Sequence, residues 1–209
     1  MKTEVTLKRV IGVTGGTGAG KSAVLKILAK EHGVRVIEAD KTGHEVLLRG
    51  GAAFAPVLER FGSGILGDDG EIDRAKLAAV VFADGKALAD LNAIVHPAVR
   101  ESIAGKIRRS RKSVIAVEAA LFFEGGLDSL VTEIWAVTAP LAVREKRLAE
   151  LRGYDASRIR AMIAKQMTQE EFVSRADIEI ENGGDLDALR GQIAAALRAP
   201  VSRRTLPCG

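Results

Sequence analysis

Residues 15–22 read Gly-Gly-Thr-Gly-Ala-Gly-Lys-Ser and follow the apolar run Val10-Ile11-Gly12-Val13 with one threonine between. The spacing fits G-x-x-x-x-G-K-[ST], the arrangement that wraps a chain of phosphates. Glycine has no Cβ, so it takes positive φ readily and lets the backbone come close to an anion. Across Gly15, Gly16, Thr17, Gly18, Ala19 and Gly20, successive N–H groups can then line a concave nest. A helix opening near Gly20 would aim its positive end at the same point. Lys21 is spaced to reach the β and γ phosphates, and the Ser22 hydroxyl to ligate Mg2+. The other reading, a glycine-rich turn with an incidental lysine, does not account for an apolar strand before it and a helix after it.

A nucleotide site does not define a reaction. Three further features point to transfer onto a small acceptor. Asp40 stands just past a second apolar run, residues 34–37, at the strand end where open parallel sheets bind ligands. A carboxylate there accepts the proton of an acceptor hydroxyl or orients it for attack. It would equally cap a helix starting at Lys41. Next, residues 41–112 read as helices inserted beyond the sheet edge, either walls for an acceptor or plain decoration. Last, Arg144, Arg147 and Arg152, then Arg158 and Arg160, lie on two successive helices. Helices of this kind close over a triphosphate and exclude water; an arginine on an exposed helix is otherwise simply solvated.

The elements that must position these groups follow from periodicity. Strands are predicted at residues 10–13, 34–37, 113–117, 133–137 and 177–181. Helices are predicted over 21–32, through the insert, from a first turn that Pro140 opens, after Gly153 with Asp155 or Ser157 as cap, and over 186–197. Strand, helix, strand within about thirty residues is a βαβ unit with a right-handed crossover. Five strands alternating with helices imply a parallel sheet covered on both faces.

Composition narrows the class. The 209 residues are 47% hydrophobic and 28% charged, enough for one substantial core and too apolar for wholesale disorder. Aromatics are only 4%, so aliphatic side chains must fill that core. The net charge of +4 is compatible with anionic ligands. The basic run at residues 106–112 has no aromatic to stack on bases, and no nucleic-acid partner is expected. Cys208 stands alone, so no disulfide forms within the chain and a reducing cytoplasm is expected. The charged start is unlike a signal peptide, and no apolar stretch reaches the length of a membrane span.

With these pieces in order, the chain resembles the dephospho-coenzyme A kinases. The resemblance rests on the loop at 13–22, on Val-Ile-Glu-Ala-Asp at 36–40 and on Asn-Ala-Ile-Val-His-Pro at 92–97. It continues through Ala-Leu-Phe-Phe-Glu at 120–124, Arg147-Leu148, Gln166-Met167, Ala176-Asp177 and Asn182-Gly183, covering roughly residues 9–198. It implies a P-loop NTPase fold: a five-stranded parallel sheet flanked by helices, with a helical acceptor-binding insert and a helical lid. The implied layout is a single domain over 1–198, with core 9–40, 113–139 and 177–198, insert 41–112 and lid 140–176. A flexible tail would follow at 199–209. The implied reaction is ATP-dependent phosphorylation of the ribose 3′-hydroxyl of dephospho-coenzyme A, the last step to coenzyme A. Asp40 would be the base or orienting group, with Lys21 and Arg147 stabilising charge. Gly15 to Ala23, with Arg147 and Arg152, would hold ATP and Mg2+. His96 and Glu124 would lie on the acceptor side, although a histidine beside a proline-started helix equally reads as a core or capping residue.

The chain departs from that pattern in three places. Ala120 replaces a proline, loosening the loop before Glu124; Ala23 replaces a threonine after the metal-ligating serine. Leu151 occupies the position of a second lid arginine, with Arg152 next to it, about 100° further round a helix. A monomer or small homo-oligomer acting on ATP and dephospho-coenzyme A is expected. A kinase for a nucleoside or nucleoside monophosphate is the nearest rival. A guanine-dependent switch would carry an Asn-Lys-x-Asp motif, and the sequence contains none.

Overall fold

The structure is a computed structural model that describes residues 8–201, without the side chains of residues 151 and 152. The expectations for the Arg152 guanidinium, for Cys208, for the charged start and for most of the tail therefore lie outside the described residues.

Five strands form one parallel sheet: β1 (Arg9–Thr14), β2 (Arg35–Glu38), β3 (Val114–Glu118), β4 (Glu133–Thr138) and β5 (Ile178–Glu181), in the order β2-β3-β1-β4-β5. The central strand β1 pairs with β3 from Arg9↔Val114 to Val13↔Glu118, and with β4 from Ile11↔Glu133 to Thr14↔Ala136. Because both faces are covered, β1 and β4 are near-continuous apolar runs instead of alternating ones. All six residues of β4 are buried. Its inward Trp135 and Val137 join Ile11 and Val13 of β1 under α1 (Lys21–His32) and α9 (Leu186–Arg198), which contribute Val24, Leu28, Leu189 and Ile193. On β1, Gly12 lies under the ring of the buried Phe122, which occupies the space a Cβ would need.

The chain leaves β1 for β2 on one side, returns to β3, then crosses to β4 on the other. Both neighbours of β1 thus come from later in the sequence, and the topological switch falls at its carboxyl end. A ligand of an open α/β sheet is expected there, and there the glycine-rich loop begins.

The chain divides into two compact units. One holds the sheet and comprises residues up to 37, 110–123 and from 127 onward; the other is Glu38–Arg109 with Glu124–Gly126. The second unit contains α2 (Ala39–Leu47), α3 (Phe54–Phe61), α4 (Arg74–Ala83) and α5 (Gly85–Arg109), packed on Val46, Val57, Ile65, Leu77 and Val81. In the first unit, β4 leads to α6 (Leu141–Arg152), α7 (Ala156–Ala164) and α8 (Gln169–Ser174).

Four local expectations change. The helix after β2 begins at Ala39 with Glu38 at its N-cap position, so Asp40 sits inside the first turn and does not cap a helix starting at Lys41. Pro97 does not start a helix; it lies within the 25-residue α5. Pro140 stands at the N-cap position, one residue before α6. The helix α8 went unread, although Thr168 and Glu171 form a capping box in which each side chain accepts from the other's backbone N–H, a signature visible in sequence as T-x-x-E. Of the two caps considered for α7, Asp155 takes the role, accepting from the Arg158 N–H at 2.9 Å.

Arg9 fastens three elements at one end of the sheet. Its guanidinium meets the Glu133 carboxylate at 2.7 and 3.2 Å and donates to the carbonyls of Ala196 and Leu197 at 2.9 and 2.6 Å. The Glu133 side chain is 1% exposed, and the Arg9 guanidinium is the cation paired with it. Replacing Arg9 with Met should cost about 3–5 kcal/mol, the usual result of leaving one buried charge alone. The Arg9→Met, Glu133→Leu double variant should recover most of that loss. Urea unfolding of the three chains measures both.

Candidate active site

In the loop between β1 and α1, a phosphate-binding backbone must turn its N–H groups inward, which sends its carbonyls outward in search of donors. Here six consecutive carbonyls find them. Lys21 Nζ donates to Gly15 O at 2.8 Å, and the Ala19 N–H to Gly16 O at 3.2 Å. Arg144 Nε donates to Thr17 O at 2.9 Å; Arg147 Nη1 reaches Gly18 O at 3.5 Å and Ala19 O at 3.3 Å. Asn182 Nδ2 donates to Ala19 O at 2.8 Å, and the Ala23 N–H to Gly20 O at 2.9 Å. Among the described residues, no protein acceptor takes the N–H of Gly18 or Gly20. The loop is held from behind and open in front.

Gly20 shows why this loop needs glycine. Its φ is +92°, and the Asn182 amide fills the place of a Cβ. Gly15, at φ +139°, packs directly on the Val137 carbonyl. Gly16 and Gly18 face Arg144, whose side chain is buried; burial pushes its guanidinium below the usual arginine range.

Three elements supply the supporting donors. Asn182 follows β5 at once, held by its own N–H on Thr138 O at 2.8 Å. Arg144 and Arg147 lie on α6 three residues apart and so share a face. The stretch between α7 and α8 supplies Gln166, whose Oε1 accepts the Thr17 N–H at 2.8 Å while its Nε2 donates to Thr17 Oγ1 at 2.7 Å. Of the other arginines considered in the same helices, Arg158 stacks over the Tyr154 ring at 4.0 Å and Arg160 is exposed.

Arg144 stands in the sequence among the arginines expected to close over a triphosphate, and Gln166 and Asn182 among the residues of the family resemblance, but the expected contacts with this loop rest on Arg147 and Arg152. A signal existed for Arg144, which precedes Arg147 by one helical turn, and for Asn182, which stands at a strand's carboxyl end before two glycines. Gln166 is marked only by the resemblance at Gln166-Met167, which gives it no role. The three residues expected on the acceptor side, Asp40, His96 and Glu124, all belong to the second unit. Asp40 is exposed in the first turn of α2, His96 half-buried within α5, and Glu124 exposed in a turn.

The donor set fits magnesium. Ser22 is exposed in the first turn of α1, and its hydroxyl is a hard oxygen ligand. Among the described residues no cluster of three His, Cys, Asp or Glu could enclose a metal ion.

A family model described as Dephospho-CoA kinase matches residues 9–188. The chain belongs to the dephospho-CoA kinase family. A dephospho-CoA kinase of Carboxydothermus hydrogenoformans is 40% identical over 192 residues, which is 90% of this chain and 93% of the relative. A Thermus thermophilus protein of known structure superposes with a TM-score of 0.76 at 30% identity, covering 91% of this chain and 96% of that one. The dephospho-CoA kinase from Campylobacter jejuni superposes with a TM-score of 0.69 at 25% identity, with the same coverages. Membership makes this protein a phosphotransferase, on a P-loop α/β sheet. Among the described residues, no helix is long and apolar enough to cross a membrane.

Arg144 is the buried support of this kinase's loop. Arg144→Met strands the Thr17 carbonyl and should destabilise the protein by about 1–3 kcal/mol. For a chain of this size that lowers Tm by about 2–4 °C per kcal/mol, read by calorimetry without ligand. An unchanged Tm would mean the loop does not rely on that bond.

Proposed function

We propose that this kinase transfers the γ-phosphoryl group of ATP to the ribose 3′-hydroxyl of dephospho-coenzyme A, giving coenzyme A and ADP. The observation that carries the reading is the family match over residues 9–188 on a chain whose loop Gly15 to Ser22 is complete and backed by donors. The triphosphate lies along the loop from Gly15 to Ala23, where the N–H groups of Gly18 and Gly20 are open to it, with the Lys21 ammonium and the positive end of α1 offsetting its charge. Mg2+, held by the Ser22 hydroxyl and phosphate oxygens, supplies further charge neutralisation. Residues 140–176 act as a lid, through which Arg147 and Arg152 approach the nucleotide. Residues 41–112 form the acceptor-binding part. There Asp40 accepts or orients the 3′-hydroxyl proton, and His96 and Glu124 line the acceptor's path.

Phosphoryl transfer proceeds through a loose transition state and asks little covalent chemistry of a protein. Its acceleration comes from alignment and from fixed charge where charge develops. Asp40 serves the first need, Lys21 and Arg147 the second. The enzyme is proposed to work in the cytoplasm, a reading supported by its single cysteine in 209 residues.

The deciding assay follows ADP release from Mg·ATP with dephospho-coenzyme A, AMP, adenosine or no acceptor. Strong stimulation by dephospho-coenzyme A alone, with product phosphorylated at the 3′ position, is expected; equal or greater stimulation by AMP or adenosine would overturn the proposal. In the same assay Asp40→Asn should lower kcat about 10²–10⁴-fold with nucleotide affinity unchanged. Lys21→Ala should lower both nucleotide affinity and kcat.

A further inference from the structure

Almost every side chain that touches the glycine-rich loop donates to a carbonyl, and so holds the loop from behind. Gln166 differs. Its Oε1 accepts an N–H of the loop itself, that of Thr17, at 2.8 Å, and its Nε2 donates to the hydroxyl of the same residue at 2.7 Å. A carboxamide presents one acceptor and one donor side by side, and Thr17 matches both. The pair is half-buried, so the bonds are not exchanged freely with water. Gln166 is not held within a helix; it lies in the short link between α7 and α8, 149 positions along the chain from its partner. Thr17 is in turn held from the other side, where its carbonyl accepts from Arg144 Nε at 2.9 Å. Its N–H, carbonyl and hydroxyl are thus all taken by residues of α6 and of the α7–α8 link.

We propose that Gln166 is a positioning residue for nucleotide binding, fixing Thr17 and with it the mouth of the phosphate loop before the nucleotide arrives. The inference rests on the reading of this loop as the ATP site. In the absence of Gln166 the residue between Gly16 and Gly18 keeps only its carbonyl tether, and two flanking glycines leave it many conformations. Ordering it then falls to the nucleotide, which weakens binding. Gln166 touches no reacting atom in this scheme; it acts through Thr17.

Calorimetric titration with Mg·ADP and Mg·ATP, without acceptor, tests the proposal independently of which acceptor is phosphorylated. Gln166→Ala should weaken both nucleotides about 10-fold, the combined worth of two ordinary hydrogen bonds. Thr17→Val, which keeps the N–H and loses the hydroxyl, should weaken them less. The double variant should be little worse than Gln166→Ala alone, because the two residues share one interaction. Gln166→Glu keeps an acceptor for the N–H but adds a negative charge at the mouth, so it should bind ATP less well than Gln166→Ala at pH 8. Wild-type affinity in Gln166→Ala, additive effects in the double variant, or wild-type ATP affinity in Gln166→Glu would each overturn the assignment. If dephospho-coenzyme A proves not to be the acceptor, these affinities still report on Gln166; if neither nucleotide binds the wild-type chain, the reading of the loop itself has failed.

Discussion

A backbone that offers N–H groups to a phosphate cannot satisfy all of its own carbonyls, and the rest of the catalytic unit is arranged around that constraint. Among the described residues the N–H groups of Gly18 and Gly20 meet no protein acceptor, while every carbonyl from Gly15 to Gly20 meets a donor of the protein. A helix or strand would have paired these groups internally; a nest has no such solution. The acceptors are met instead by Lys21 from within the loop, by Arg144 and Arg147 from α6, and by Asn182 beyond β5. The positions of β4, β5 and α6 thus have a local reason: they bring cationic and amide donors behind a loop that begins at the end of β1.

This division of labour explains why the cationic side chains around the loop differ in character. Arg144 is buried, its bond to Thr17 already made, and it behaves as part of the framework. Arg147 is half-buried and makes two longer contacts. A long contact leaves the fork of a guanidinium able to change partners at small loss, which suits a group expected to turn toward the nucleotide. Spacing alone gives the two residues the same face of α6; depth below the surface separates their roles.

Much of this was legible in the chain. The apolar run before Gly15, the glycine spacing and Lys21 placed the loop, and uninterrupted apolar strands announced a sheet covered on both sides. The misreadings have physical causes. Asp40 looked like a cap because carboxylates often are, yet α2 begins two residues before Lys41 and Glu38 takes the cap position without using its side chain. Pro97 looked like a boundary because proline lacks an N–H, but a 25-residue helix packed along the second unit tolerates one missing bond. Gln166 stands out in the sequence only as part of the family resemblance, with no role attached to it. Its meaning comes from a residue 149 positions away, and no local pattern encodes a partner at that distance.

The placement of β1 has a consequence during synthesis. It is the first strand made and the central one of the sheet, and both of its neighbours, β3 and β4, begin roughly 100 residues or more downstream. At about 5–20 residues per second of translation, its edges wait on the order of 5–20 s for a partner. Through that interval a short, apolar, strand-forming segment has neither of its neighbours in place. The helices of the second unit are made during that interval, so they are the elements that form while β1 still lacks both of its neighbours.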